Sequence, residues 1–369
     1  MGSLLFATAA VAEVGVSDTQ ILLGQSCATT GPAEALGKGM VVGLNAYFSK
    51  VNDAGGINGR KIKLISKDDG YEPDKAIANT KALINDDKVF MLVGEVGTPT
   101  SKAVVPTIEE AQVPFFGPFT GAEFLRNPYK KYVINVRASY NQEMEKLAEY
   151  LVDKNGMKKI ALFYQNDGYG QAGKNGIVKA LKKRNMALVG EGTYERNTVA
   201  VKGGLMKIRK SKPDAVIMVG AYKPCAAFIK LGKKFIKGAT FCNISFVGTK
   251  ALKKELGSAG EGCVVSQVVN FPWDMSVPLV QEYTDVMKKY APDTETGFVS
   301  LEGYMVAKLF CMAAEKTSDL TRENFINTVN NTGSFDLGGT TLNFGPSDHQ
   351  GMDKVFLTII QDGEIKAIK

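Results

Sequence analysis

The chain has 369 residues, beyond the size at which one hydrophobic core keeps growing, so two domains are the default. Charged residues at 22% and hydrophobic ones at 44% exclude a disordered chain, and no stretch approaches the roughly 20 apolar residues of a membrane span. The net charge of +7 is scattered as paired lysines (Lys158-Lys159, Lys182-Lys183, Lys233-Lys234, Lys288-Lys289) and not gathered with aromatics on one face, which argues against nucleic acid as a partner.

In chain order, Met1-Gly2-Ser3 reads as an expression scar. Leu4–Ala12 reads as the tail of a secretory signal peptide, with Ala10-Val11-Ala12 as its cleavage site, and points to export to a periplasm. Short apolar runs at Gln20–Ser26, Lys61–Ser66, Val89–Gly94 and Val113–Gly117 predict strands. Amphipathic helices are predicted between them at Lys38–Val51, Asp74–Asn85 and Ser101–Ala111. A second series repeats the alternation. Its predicted strands are Lys159–Tyr164, Ala187–Glu191, Asp214–Val219, Ile244–Gly248 and Gly262–Gln267; its helices are Gln142–Lys154, Gly170–Arg184, Val199–Ser211 and Pro224–Phe235. Helical patterns follow at Pro278–Tyr290, Ser300–Lys316 and Thr321–Val329, then strands at Thr340–Phe344 and Val355–Asp362. Such alternation predicts an α/β protein of two doubly wound parallel-sheet domains. No low-complexity linker occurs, so the domain boundaries are crossings, near Arg137, Asn270 and Phe335. The expected lobes are 13–137 plus 270–335 and 138–269 plus 336–369.

Orthodox catalysis is hard to stage here. The single histidine, His349, falls in a polar turn and reads as solvated, and neither H-E-x-x-H nor a phosphate-binding G-x-x-x-x-G-K-[ST] is present. Five cysteines without C-x-x-C argue against zinc or redox motifs; in an oxidising compartment Cys242 and Cys263 could bridge. No cofactor or metal is expected. Gly168-Tyr169-Gly170-Gln171-Ala172-Gly173 matches G-x-G-x-x-G after a strand, with Glu191 at the end of the next, so a dinucleotide-dependent enzyme is the alternative reading. Three polar residues separate strand and first glycine, and the loop reads better as presenting Tyr169 to a cleft. Loops at the carboxyl ends of other predicted strands hold Glu95–Ser101, Phe119–Ala122, Gly220–Lys223 and Gly248–Lys250. Ligands of open α/β sheets bind just beyond such ends.

The glycine-rich run Asn52–Arg60, then Asp68–Pro73, Val113–Gly117 to Leu125-Arg126, Phe163–Gly170, Val219–Pro224, Phe246–Leu252 and Phe271-Pro272-Trp273-Asp274, occur in an order that resembles the type I periplasmic binding proteins of the branched-chain amino acid receptor family. The resemblance covers nearly the whole chain from Val16. It implies two lobes joined by three hinge crossings, a small ligand captured by closure, and delivery by a monomer to an inner-membrane ABC permease, or a sensor whose closed form a receptor reads. Carried over position by position, it implies ligand contacts at Thr98, Phe119, Gly121, Tyr169, Tyr222 and Phe298, and the loops beyond the predicted strands add Thr120, Thr249 and Lys250 to the expected site. The sequence departs from the family at four of its positions. Lys250 stands where the family has the acid for the ligand ammonium and Leu36 where it has an aromatic wall; Tyr71 and Gly97 replace a disulfide. A cation in place of that acid would repel an α-ammonium group. A carboxylate, or a largely apolar molecule with one polar end, is therefore expected over a branched-chain or other amino acid.

Overall fold

The computed structural model describes residues 13–368, so the expected signal peptide and expression scar lie outside the described residues. A first sheet is built from β1 (Gln20–Cys27), β2 (Lys61–Asp68), β3 (Met91–Val93), β4 (Phe115–Phe116) and β5 (Val133–Ile134), all parallel, in the order β2-β1-β3-β4-β5. α1 (Glu34–Asp53), α2 (Pro73–Asn85) and α3 (Thr98–Ala111) connect the first four. The glycine run after α1 is a structural turn. Gly55, Gly56 and Gly59 take φ of +111°, +82° and +80°, which a Cβ disfavours, and Asn52 ties the turn to β2 through both Ile62 N (2.7 Å) and Ile62 O (2.8 Å).

A second sheet repeats this order. α4 (Tyr140–Ala148), continued by a wider turn over Glu149–Lys154, leads into β6 (Ile160–Gln165), α5 (Gly168–Lys182), β7 (Gly190–Tyr194), α6 (Lys202–Lys210), β8 (Ala215–Val219), α7 (Tyr222–Phe235), β9 (Thr240–Asn243), α8 (Thr249–Leu256) and β10 (Val264–Gln267). The parallel strands run β7-β6-β8-β9-β10, the same winding as in the first sheet. The chain then returns through α9 (Pro278–Tyr290), α10 (Phe298–Lys316) and α11 (Arg322–Thr332). α10 lies against α1 so closely that a Cβ on Gly43 would fall 2.0 Å from Ser300 O. A small antiparallel pair, β11 (Ser334–Asp336) and β12 (Thr341–Asn343), precedes β13 (Phe356–Gln361) and β14 (Glu364–Ala367). The last two extend the second sheet antiparallel beyond β10.

The chain therefore passes three times between the sheets: before α4, after β10 and before β13. Three sequence readings need correction. Ile244–Gly248 is not a strand: β9 ends at Asn243, and Ser245–Val247 forms a 3-10 turn closed by Gly248 at φ +74°. His349 is not solvated. It is 5% exposed, with Nδ1 3.0 Å from Val133 O and Nε2 2.8 Å from Asn330 Oδ1, because the third passage folds down on β5 and Asn135 N donates to His349 O. That burial lowers its pKa. Cys242 and Cys263 are free buried thiols, Cys263 Sγ accepting from Asn243 Nδ2 at 3.3 Å.

Candidate functional site

The carboxyl ends of the two sheets face each other, and the loops that leave them meet in a buried centre. Thr98 opens α3, and its hydroxyl lies 2.7 Å from Thr120 Oγ1 and 3.2 Å from Tyr140 Oη; Thr120 donates to the same phenol at 3.3 Å. All three residues are 0–1% exposed. Tyr140 is brought there by the capping box that starts α4, where Ser139 and Gln142 satisfy each other's backbone N–H. Gly121 makes the approach possible: its carbonyl accepts from Tyr140 N at 2.6 Å, and a Cβ would fall 2.5 Å from Tyr140 Cδ1.

Aromatic rings close around these hydroxyls. Tyr169 lies 5.6 Å from Tyr140 and 4.6 Å from Phe246, centroid to centroid, and Phe246 in turn packs on Phe119 (5.5 Å) and Tyr71 (5.9 Å). Rings from both sheets thus share one apolar wall, with Phe246 at its middle. Of the expected contacts, Thr98, Phe119, Thr120, Gly121 and Tyr169 come together here.

The other four lie toward the rim. Tyr222 Oη accepts from Ala35 N at 3.4 Å, across the divide between the sheets. The Thr249 hydroxyl is taken by Gln267 Nε2 at 2.7 Å. Lys250 reaches Glu295 Oε2 at 2.5 Å and Thr296 O at 3.0 Å, so this cation ties α8 to the start of α10. Phe298 packs edge-on against Trp273 at 5.6 Å. Thr249, Lys250 and Phe298, with Leu36, Val42 and Glu295, line a cleft of about 880 Å³. On the other flank Arg196 spans Glu72 (2.8 Å) and Asp167 (3.2 Å), and Asn197 donates to Gly70 O and Glu72 Oε1. These contacts across the divide hold the two sheets in a closed arrangement.

Tyr71, Arg137, Tyr140 and Phe246 belong to the centre but were not among the expected contacts. The sequence carries signals for two of them. Ser139-x-x-Gln142 marks a helix start that puts Tyr140 in the first turn, and Asn243 with Gly248 brackets too short a run for the strand assigned to Phe246. Nothing local marks Arg137, which is 1% exposed with Nε 3.4 Å from Glu302 Oε1. Glu143 accepts from Ser245 N (2.8 Å), Ser245 Oγ (3.0 Å) and Ser266 Oγ (2.6 Å). Burial raises the pKa of Glu143, and that of Glu302 to about 7 despite Arg137. Behind Tyr71, burial raises the pKa of Asp69 to about 6 and that of Glu95 well above its ordinary value.

The G-x-G-x-x-G loop does not hold a pyrophosphate. Asp167 occupies the amino end of α5, its carboxylate accepting from Tyr169 N at 2.9 Å, where an anion would have to sit. Gly170 and Gly173 are there for packing, with Cβ positions 1.8 Å from Gln165 O and 2.5 Å from Val219. Glu191 is paired with Lys174 at 2.6 Å. Among the described residues no cluster of three His, Cys, Asp or Glu could hold a metal.

Two doubly wound sheets facing across such a centre are a fold for enclosing a solute, and comparison with known proteins decides the family. Residues 20–364 match the family described as periplasmic binding protein. The chain belongs to that family. A solved structure of a possible leucine/isoleucine/valine-binding protein from Rhodopirellula baltica SH 1 is 37% identical. It covers 95% of this periplasmic binding protein and 97% of its own chain, with a TM-score of 0.91. An amino acid binding protein of Pseudomonas aeruginosa is 26% identical over 57% of this chain and 56% of its own length. A fatty acid ABC transporter substrate-binding protein from Thermomonospora curvata shares the fold, with TM-score 0.85 at 23% identity, covering 97% of this chain and 94% of that one. This periplasmic binding protein is therefore of the type I, branched-chain amino acid receptor group. Its relatives bind small molecules, work with ABC transporters and are not enzymes, and the family implies a periplasmic location.

Proposed function

We propose that this protein captures a small molecule bearing a carboxylate, or another single polar end on an apolar body, between its lobes and delivers it to an inner-membrane ABC permease. The observation that carries this reading is the cluster of Thr98, Thr120 and Tyr140 hydroxyls inside a wall of Tyr71, Phe119, Tyr169 and Phe246. Apolar sites with a few convergent polar groups are the usual form of small-molecule sites. Lys250, engaged with Glu295 and Thr296, supplies no acid for an α-ammonium group. We place the lobes at 13–137 plus 270–335 and 138–269 plus 336–369, with export through the N-terminal segment and action as a monomer.

The name of the 37% identical relative favours a second reading, a branched-chain amino acid as ligand. A thermal-shift screen of amino acids, aliphatic and aromatic acids, and lipids tests both. Our reading expects acids without an amine to raise the melting temperature most, with Thr98→Ala and Tyr169→Ala reducing the shift. Leucine, isoleucine or valine giving the largest shift would establish the second reading instead.

A further inference from the structure

Arg137 stands in the first passage between the sheets and turns its side chain inward. Its guanidinium lies over the Phe119 ring at 4.5 Å. Nε faces Glu302 and Nη2 donates to Ser245 Oγ, whereas buried Nη1 meets no acceptor among the described residues. Tyr169 Oη is likewise buried without a partner. The two groups flank the same rings, since Phe119 and Tyr169 both pack on Phe246, and the Tyr140 and Tyr169 phenols are near enough to act on the guanidinium electrostatically. A buried donor left unpaired costs roughly 1–3 kcal/mol, and more when charged. Two such donors beside three hydroxyls form a set suited to an anion.

Two buried acids, Glu302 and Glu143, already act on the guanidinium and help to hold it charged. Glu143 is committed to three hydrogen bonds from Ser245 and Ser266. Glu302 faces Nε at 3.4 Å and is the main counterion of the guanidinium, and burial raises its own pKa to about 7. Glu95 Oε1 is also buried without a partner, and burial raises the pKa of that carboxyl well above its ordinary value. Nη1 and Tyr169 Oη are thus donors of the centre left without an acceptor among the described residues.

We propose that Arg137 is the charged receptor of the ligand's carboxylate, with Tyr169 Oη as a second donor, and that Glu302 competes with the ligand for the guanidinium. This rests on the reading of the centre as the solute site. It makes the hinge passage part of the binding chemistry, so that the ligand's charge is met by the segment about which the lobes turn.

The test is calorimetry on the full chain with straight-chain and aromatic carboxylates, each against its own primary amide, and with leucine. Wild type should bind a carboxylate at least 10-fold more tightly than its amide. Arg137→Gln should erase that preference, and Glu302→Gln should tighten carboxylate binding several-fold. An unchanged preference in Arg137→Gln, or weaker carboxylate binding in Glu302→Gln, would overturn the proposal and leave the solute site standing. The Glu302→Gln arm decides the matter if Arg137→Gln does not fold. Binding of leucine that is unaffected by Arg137→Gln also overturns it. Failure of wild type to bind any of these compounds would remove the reading on which it rests.

Discussion

The centre and the rim of the interlobe space use different physics. In the centre, Thr98, Thr120, Tyr140, Tyr169 and Phe246 are essentially without solvent contact, and uncharged hydroxyls are held by short hydrogen bonds among packed rings. At the rim the charged contacts are ion pairs in water: Lys250 with Glu295 is 43% and 82% exposed, and Lys223 lies 3.9 Å from Glu34. Exposed pairs contribute about 0–1 kcal/mol, whereas orphaning a buried hydroxyl costs roughly 1–3 kcal/mol. The centre should therefore set affinity and the rim the ease of closure. A residue's position in the family pattern does not by itself say which job it has.

The sharpest way to break this division is Phe246→Ala. It removes the ring shared by Tyr71, Phe119 and Tyr169, and calorimetry should show ligand affinity falling at least about 100-fold, the scale of a large aromatic truncation. An effect under tenfold would mean that the wall is not the site. Next comes a pH effect behind the wall. Asp69 has its pKa raised by burial from 3.8 to about 6, so the stability it contributes is full below about pH 4 and is lost as pH rises through about 6. Chemical denaturation should show Asp69→Asn gaining on wild type by up to about 3 kcal/mol between pH 4 and 7. A constant difference across that range would show that Asp69 ionises as an ordinary surface carboxylate.

Smaller effects should follow from hydroxyl and rim substitutions. Thr98→Ala should weaken binding about 10-fold, as expected when Thr120 and Tyr140 lose a shared partner. Arg196→Ala removes the bridge to Glu72 and Asp167. It should shift the open–closed balance by less than about 1 kcal/mol, read by small-angle scattering with and without ligand. A collapse of affinity in that variant would move the site toward the flank.

The alternation of strands and helices was legible because apolar period and glycine turns report the backbone directly, and both windings followed from it. The short strands β4 and β5, two residues each, have too little pattern to bound. In the proposed site, the meeting of Thr98, Phe119 and Tyr169 could be expected because loops after parallel strands point to the cleft. Phe246 was hard to place because a ring in an apolar run looks the same in a strand and in a 3-10 turn, and only the Asn243–Gly248 bracket marks the difference. Arg137 was hidden because its burial depends on Glu302 and Ser245, both more than a hundred residues away. His349 shows the same limit, since only the fold of the third passage takes it out of water.

The most direct test of the account is a single calorimetric series with the tightest-binding compound from the thermal-shift screen, titrated into wild type, Thr98→Ala and Lys250→Ala. The account predicts about a 10-fold loss for Thr98→Ala and less than threefold for Lys250→Ala. The reverse order, with Lys250→Ala the damaging change, would contradict it and place recognition at the rim.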